Sequence, residues 1–128
     1  MLPNFLLPEF VAREDGLSPA TELGAAQGKL LQLTLGINRI IEQESLDVSI
    51  SGSPDGENWG AKPLLSFPQK FYCGTYTILL DPSGHSDIRF LRVQWKMGRW
   101  GRGEPKPLFG FYVFAQESQI PALAHAGV

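Results

Sequence analysis

The chain has 128 residues, a formal net charge of −2, 43% hydrophobic residues and a single cysteine. That length supports one domain with a substantial core, since a chain of this size buries roughly two thirds of its unfolded surface. The near-balanced charge gives no electrostatic footprint for a nucleic-acid binder, one thiol excludes an intrachain disulfide or a cysteine-based zinc site, and no run nears the ~18 apolar residues of a membrane span.

The first 28 residues carry no sustained period. MLPNFLLPEFVARED is apolar but lacks a basic n-region, and Pro3 and Pro8 break its apolar segment, so it does not read as a signal peptide. A reduced, cytoplasmic setting is the expectation. Ser18-Pro19 suits the start of a short helical turn over Thr21 to Ala26, Ser being a favoured cap and Pro a favoured first helical residue.

From residue 29 the pattern changes. In KLLQLTLGI, Leu31, Leu33, Leu35 and Ile37 share one parity, which predicts a half-buried strand. SLDVSIS repeats the pattern with Leu46, Val48 and Ile50. Residues 62–67 suit a short edge strand, confined by Pro63 and Pro68. TYTILLD sets Tyr76, Ile78 and Leu80 on one side, and Pro82-Ser83-Gly84 turns the chain. IRFLRVQWKM sets Leu91, Val93 and Trp95 on one face and Arg92, Gln94 and Lys96 on the other. LFGFYVFAQ is apolar on both parities, as in a strand covered on both faces. The 14 glycines and 10 prolines are scattered, which means many turns. Short strands with turn signals at near-regular spacing, and no amphipathic helix of three turns, predict an all-β protein. The expected fold is a single β-sandwich of jelly-roll type with an extended N-terminal arm. The expected organisation is an arm and connector over 1–28, the sandwich over 29–116 and a tail over 117–128.

One short stretch, SGSPDGENWG (51–60), invites two readings. Asp55-Gly56 is a turn signal, because Asp tolerates and Gly favours the left-handed region. Trp59 then folds back over the sandwich edge, where an indole contributes about 2–3 kcal/mol. The functional reading makes the loop a sugar platform or a metal loop, but two carboxylates are a poor cage for calcium, which takes six to eight oxygens.

Ser53-Pro54-Asp55-Gly56-Glu57-Asn58-Trp59 resembles the S-x-D-G-x-x-W hairpin of discoidin-like, galactose-binding-like β-sandwiches. Asp87-Ile88-Arg89-Phe90-Leu91-Arg92-Val93 is similar to the late-strand signature of those domains, in the right order. Gly74-Thr75-Tyr76-Thr77 also resembles such modules, including ones on phage and other particle proteins. The match covers roughly residues 44–115. The resemblance implies a jelly-roll sandwich, usually non-catalytic, that binds glycans or other surfaces through loops at one end. The chain departs from secreted discoidin domains in lacking a terminal cysteine pair and a signal peptide, so no ligand residues follow from the resemblance.

Catalytic signatures are missing. His85 lies in PSGHSD beside Ser83, Ser86 and Asp87, but neighbours in one turn rarely reach triad geometry. His125 sits among small residues. Glu42 and Glu44 could suggest glycoside hydrolysis, yet carboxylates in a turn between strands are more often solvated. The expectation is no enzyme and no cofactor.

The richest candidate is WKMGRWGRGEPKP, residues 95–107. Lys96, Arg99, Arg102 and Lys106 stand against Glu104 alone, with Trp95 and Trp100 interleaved. Arg and Trp are enriched at binding hot spots, because a guanidinium forks onto carboxylates and an indole desolvates a large area. The bland alternative is a loop whose Trp100 caps the core. A protein partner, a glycan and, with less support from the overall charge, nucleic acid remain as ligands. The binding residues expected from the sequence are therefore Trp100, Arg99, Arg102, Lys106 and Trp59.

Leu2, Phe5, Leu6, Leu7 and Phe10 are many large apolar groups for a free tail. They either cover their own sandwich or dock on a neighbour. Glu9, Glu14, Asp15 and Glu22 would complement the cationic loop of a second subunit. The first functional expectation is thus a self-associating structural protein, a homo-oligomer through its N-terminal arm and a component of a larger particle. The second is a monomeric carbohydrate-binding module using exposed Trp and Arg loops.

Overall fold

Alternation becomes strand wherever one parity can be buried. In the computed structural model, which describes residues 2–41, 44–60, 62–81, 84–85, 87–99 and 108–118 (Arg99 by its backbone alone), nine strands run in chain order. They are β1 (Asn4–Ala12), β2 (Gly16–Leu17), β3 (Thr21–Glu22), β4 (Leu31–Ile40), β5 (Glu44–Ser53), β6 (Leu65–Ser66), β7 (Gly74–Leu80), β8 (Phe90–Arg99) and β9 (Phe109–Glu117). The only helical element among the described residues is one 3-10 turn, Gly24–Ala26.

Two antiparallel sheets form, ordered β1-β9-β4-β7 and β2-β8-β5-β6, with β3 also on β8. If β2 and β3 count as one interrupted strand, the pairing is nested. The first strand pairs with the last, the second with the next to last, β4 with β7 and β5 with β6. That nesting, closed by β4 with β9 and β5 with β8, is the jelly-roll winding.

The expected core residues point inward. Leu33, Leu35, Leu46, Ile50, Leu91, Val93, Phe109, Phe111 and Val113 are all fully buried between the sheets. On β9 the inward parity is core, while Tyr112 and Phe114 face outward and are half-buried. Phe5 packs edge-on against both, 5.7 and 4.9 Å between ring centres. Tyr112 lies across its cross-strand partner Gly36, where any Cβ would enter the ring.

The residues expected as an arm and connector supply β1, β2 and β3. Leu6, Leu7 and Ala12 are buried in the chain's own core, and Phe10 packs between Trp95 and Phe111 at 5.3 and 5.4 Å. The helical turn expected over residues 21–26 is a correction. Thr21 and Glu22 are strand, and the turn that follows has no side-chain cap. Ser18 does not cap it, because that side chain is bonded elsewhere. Its N–H donates to Val93 O (2.8 Å), and its Oγ accepts from Val93 N (2.8 Å), bridging the gap between β2 and β3.

Candidate functional site

β5 and β8 pair over their full lengths, so their outward side chains stand in matched rows. Asp47 is opposite Lys96, Ser49 opposite Gln94 and Ser51 opposite Arg92. Successive members of a row are about 7 Å apart, two residues of strand rise. Along one side, Pro63, Ser66 and Phe67 form a wall. Together with Asp47, Ser49, Gln94 and Lys96 they line a groove of about 380 Å³. The wall is held by backbone bonds from Leu64 N to Ile50 O (2.7 Å) and Phe67 N to Val48 O (2.9 Å). Gln69 Nε2 donates to Asp47 Oδ2 at 2.9 Å, which orients that carboxylate.

Further along β8, on the same face as Gln94, the Arg92 guanidinium lies over the Trp59 ring, 4.3 Å from its centre. The indole is half-buried, so it is neither a core residue nor a free platform. Arg92 Nε is the one buried polar side-chain atom among the described residues without a hydrogen-bond partner.

Trp59 reaches this position through the quoted turn. Asp55 Oδ1 accepts from the backbone N–H of Glu57 and Asn58, both at 2.8 Å, and from Ser53 Oγ at 2.9 Å. Ser53 Oγ accepts from Gly56 N (2.8 Å), and Gly56 takes φ +82°, the conformation expected of it. These donors, the Asn58 and Glu57 amides foremost, hold the Asp55 carboxyl far below the usual carboxylate range. The carboxylate that a metal would need is therefore satisfied by the loop itself. Among the described residues no three His, Cys, Asp or Glu side chains gather as a metal cluster.

Of the residues expected to bind, Trp59 belongs to this face. Arg99 ends β8, with its side chain outside the description, and Trp100, Arg102 and Lys106 lie outside the described residues. In the sequence Asp47, Ser49 and Gln94 are the polar side of half-buried strands, and Ser66 falls in the short edge strand expected over residues 62–67. Their signal was the Asp, Ser, Gln and Lys content of that parity, which becomes a site only once β5 and β8 are known to be neighbours. Glu44 is a correction. It is 1% exposed rather than solvated, accepting backbone N–H bonds from Ile41 (2.7 Å) and Leu108 (2.8 Å). His85 is exposed, and its neighbours Ser83 and Ser86 lie outside the described residues.

No protein-family model matches this chain, and no curated protein matches it. Among solved structures, the chain is similar to Xylanase10C from Cellvibrio japonicus, a point mutant in complex with xylopentaose, with 12% identity and a TM-score of 0.42. The match covers 86% of this chain and 23% of that one, so the chain spans less than a quarter of that protein's length. At that degree of likeness the fold is read from the strand pairing alone. No helix among the described residues is long and apolar enough to cross a membrane.

Proposed function

We propose that this chain is a non-catalytic carbohydrate-binding sandwich of the galactose-binding-like kind, with its ligand lying along the outer face of β5 and β8. The groove between that face and residues 63–67 carries the reading. A neutral polyhydroxylated ligand needs planar amide and carboxylate groups that bond pairs of hydroxyls, and hydroxyl groups that donate and accept. Gln94, Asp47, Ser49 and Ser66 are that set. The single acid and single amine of the groove, Asp47 and Lys96, stand opposite each other, so the groove itself has no net charge, and Arg92 beyond it in the same row lies over Trp59. At one end of the row the Arg92 guanidinium, held over the half-buried Trp59 ring, supplies N–H donors for sugar hydroxyls beside the exposed part of the indole. The two stretches that resemble galactose-binding-like domains, 53–59 and 87–93, meet here through that stack.

Affinity electrophoresis against a panel of neutral polysaccharides, followed by calorimetry with oligosaccharides of any that retard the protein, tests this. Losing one good hydrogen bond costs about 1–3 kcal/mol, or roughly 5- to 150-fold in affinity. Gln94→Ala and Asp47→Ala should each weaken binding in that range with unchanged melting, and Trp59→Ala should weaken it as well. Retention of a polysaccharide by Gln94→Ala as strong as by the parent would move the site off this face.

A further inference from the structure

The two sheets end in four edges, and three of them are blunted. β6 and the β2–β3 edge are strands of two residues each. β1 is long but carries Pro8 and two register irregularities, between Phe5 and Leu7 and between Leu7 and Phe10. Prolines, bulges and very short strands are the devices that stop a sheet edge from recruiting another chain. β7 has no proline, bulge or shortness, and among the described residues its one guard is Lys70 from the loop before it, whose ammonium lies over the Tyr76 ring at 3.7 Å. The strand runs Gly74–Leu80 in unbroken register with β4, contains no proline and no charged residue, and among the described residues pairs with β4 alone. Half of its backbone N–H and C=O groups therefore face away from β4.

We infer that β7 is a strand-addition edge for a second copy of this chain, joining two four-stranded sheets into one of eight across a two-fold axis at Thr77. The sequence of β7 is self-complementary in that arrangement. Thr77 would face Thr77 of the second copy, Thr75 would face Leu79 on the outer surface, and Tyr76 would face Ile78 on the inner one. Threonine pairs and aromatic–β-branched pairs are favourable cross-strand neighbours, and no like charges oppose. The edge position leaves Ile78 half-buried and Leu79 42% exposed, so addition would cover apolar surface that the monomer leaves wet, while Tyr76 is already capped by the Lys70 ammonium. Phe71 and Tyr72, 39% and 73% exposed just before the strand, extend that surface. A net charge of −2 sets little long-range repulsion between copies. In the N-terminal residues Leu6 and Leu7 lie inside their own core, and although Phe5 and Val11 are 43% and 41% exposed, their strand β1 is the edge that Pro8 and two register irregularities blunt. The groove lies on the other sheet, so this contact is independent of ligand binding.

Sedimentation equilibrium of the full chain should show a monomer–dimer equilibrium in the micromolar range. Thr77→Lys sets like charges opposite each other and should raise the dimer dissociation constant at least tenfold with unchanged melting. Cross-linking tests the register. In a Cys73→Ser background, Thr77→Cys should form a disulfide dimer under mild oxidation, because directly opposed Cβ atoms lie within bonding range. Leu79→Cys, which would face Thr75 rather than itself, should not. A full chain that stays monomeric at 100 times micromolar concentration overturns the inference, as does equal cross-linking of the Leu79→Cys variant. So does a chain shortened to residues 1–118 that dimerises when the full chain does not, since the tail would then occupy the edge.

Discussion

Glu44 begins β5 in one sheet, and its two carboxylate oxygens accept from the backbone at the ends of β4 and β9 in the other, Ile41 N at 2.7 Å and Leu108 N at 2.8 Å. Those amides flank the last β4–β9 rung, Ile40 opposite Phe109. At 1% exposure the carboxylate is a buried clamp between the layers. Hydrogen bonds to a charged group contribute about 1.5–3 kcal/mol each, and truncating a partner also strands both amides. Part of this is offset, because the variant no longer desolvates a charge. Glu44→Ala should therefore cost about 3–5 kcal/mol, which lowers the melting temperature by roughly 12–20 °C in a domain of this size. Glu44→Gln keeps one acceptor and sets an NH₂ against the other amide, so it should cost about half as much. Glu44→Met keeps the volume without acceptors and should approach the alanine variant. Thermal and urea unfolding followed by circular dichroism measure all three. If Glu44→Ala stays within about 1 kcal/mol of the parent, or the methionine variant matches the parent, the clamp does not hold the sheets together.

Removing residues 1–12 should unfold the chain, because β9 loses its edge partner and the core loses Leu6 and Leu7, about 1.5–3 kcal/mol each against a total stability of about 5–15; a truncated chain with dispersed amide resonances and a cooperative melt would contradict this. The Asp55 carboxyl, depressed by the Asn58 and Glu57 amides first, makes the 53–58 turn dependent on pH. A depressed folded value contributes stability that is fully present above the unfolded carboxylate range, near 4, and is lost as pH falls toward the folded value. The carboxyl carbon of Asp55 should titrate well below the usual carboxylate range by NMR, and a midpoint near 4 would show that the turn does not bond it.

What could be read from residues alone followed the regularity of the strand. β4 from Leu31 to Ile37, β5 from Leu46 to Ile50 and β8 from Leu91 to Trp95 alternate in sequence, because one face is core and the other is not, and a period of two survives translation into sequence. β1 hid for a specific reason. Each of its irregularities inserts an extra residue, so Leu6 and Leu7, adjacent in sequence, are both buried and the alternation that identifies a strand is erased. The short strands β2 and β3 are defined by Ser18 bonding across to Val93, 75 residues away, a contact no local pattern announces. Trp59 was legible as the end of a turn because Asp55 and Gly56 specify that turn with local bonds. Its partner was not, since Arg92 reaches it only after β5 and β8 align. The same alignment explains why the groove could not be read in advance. Asp47, Ser49, Gln94 and Lys96 belong to two ordinary half-polar strands, and pairing in this register is what makes their outward rows one surface. A one-residue slip of β8 against β5 would turn Arg92, Gln94 and Lys96 into the core and Leu91, Val93 and Trp95 into water. Burial of those three apolar side chains thus specifies the fold and, through the same register, the composition of the face proposed to bind sugar.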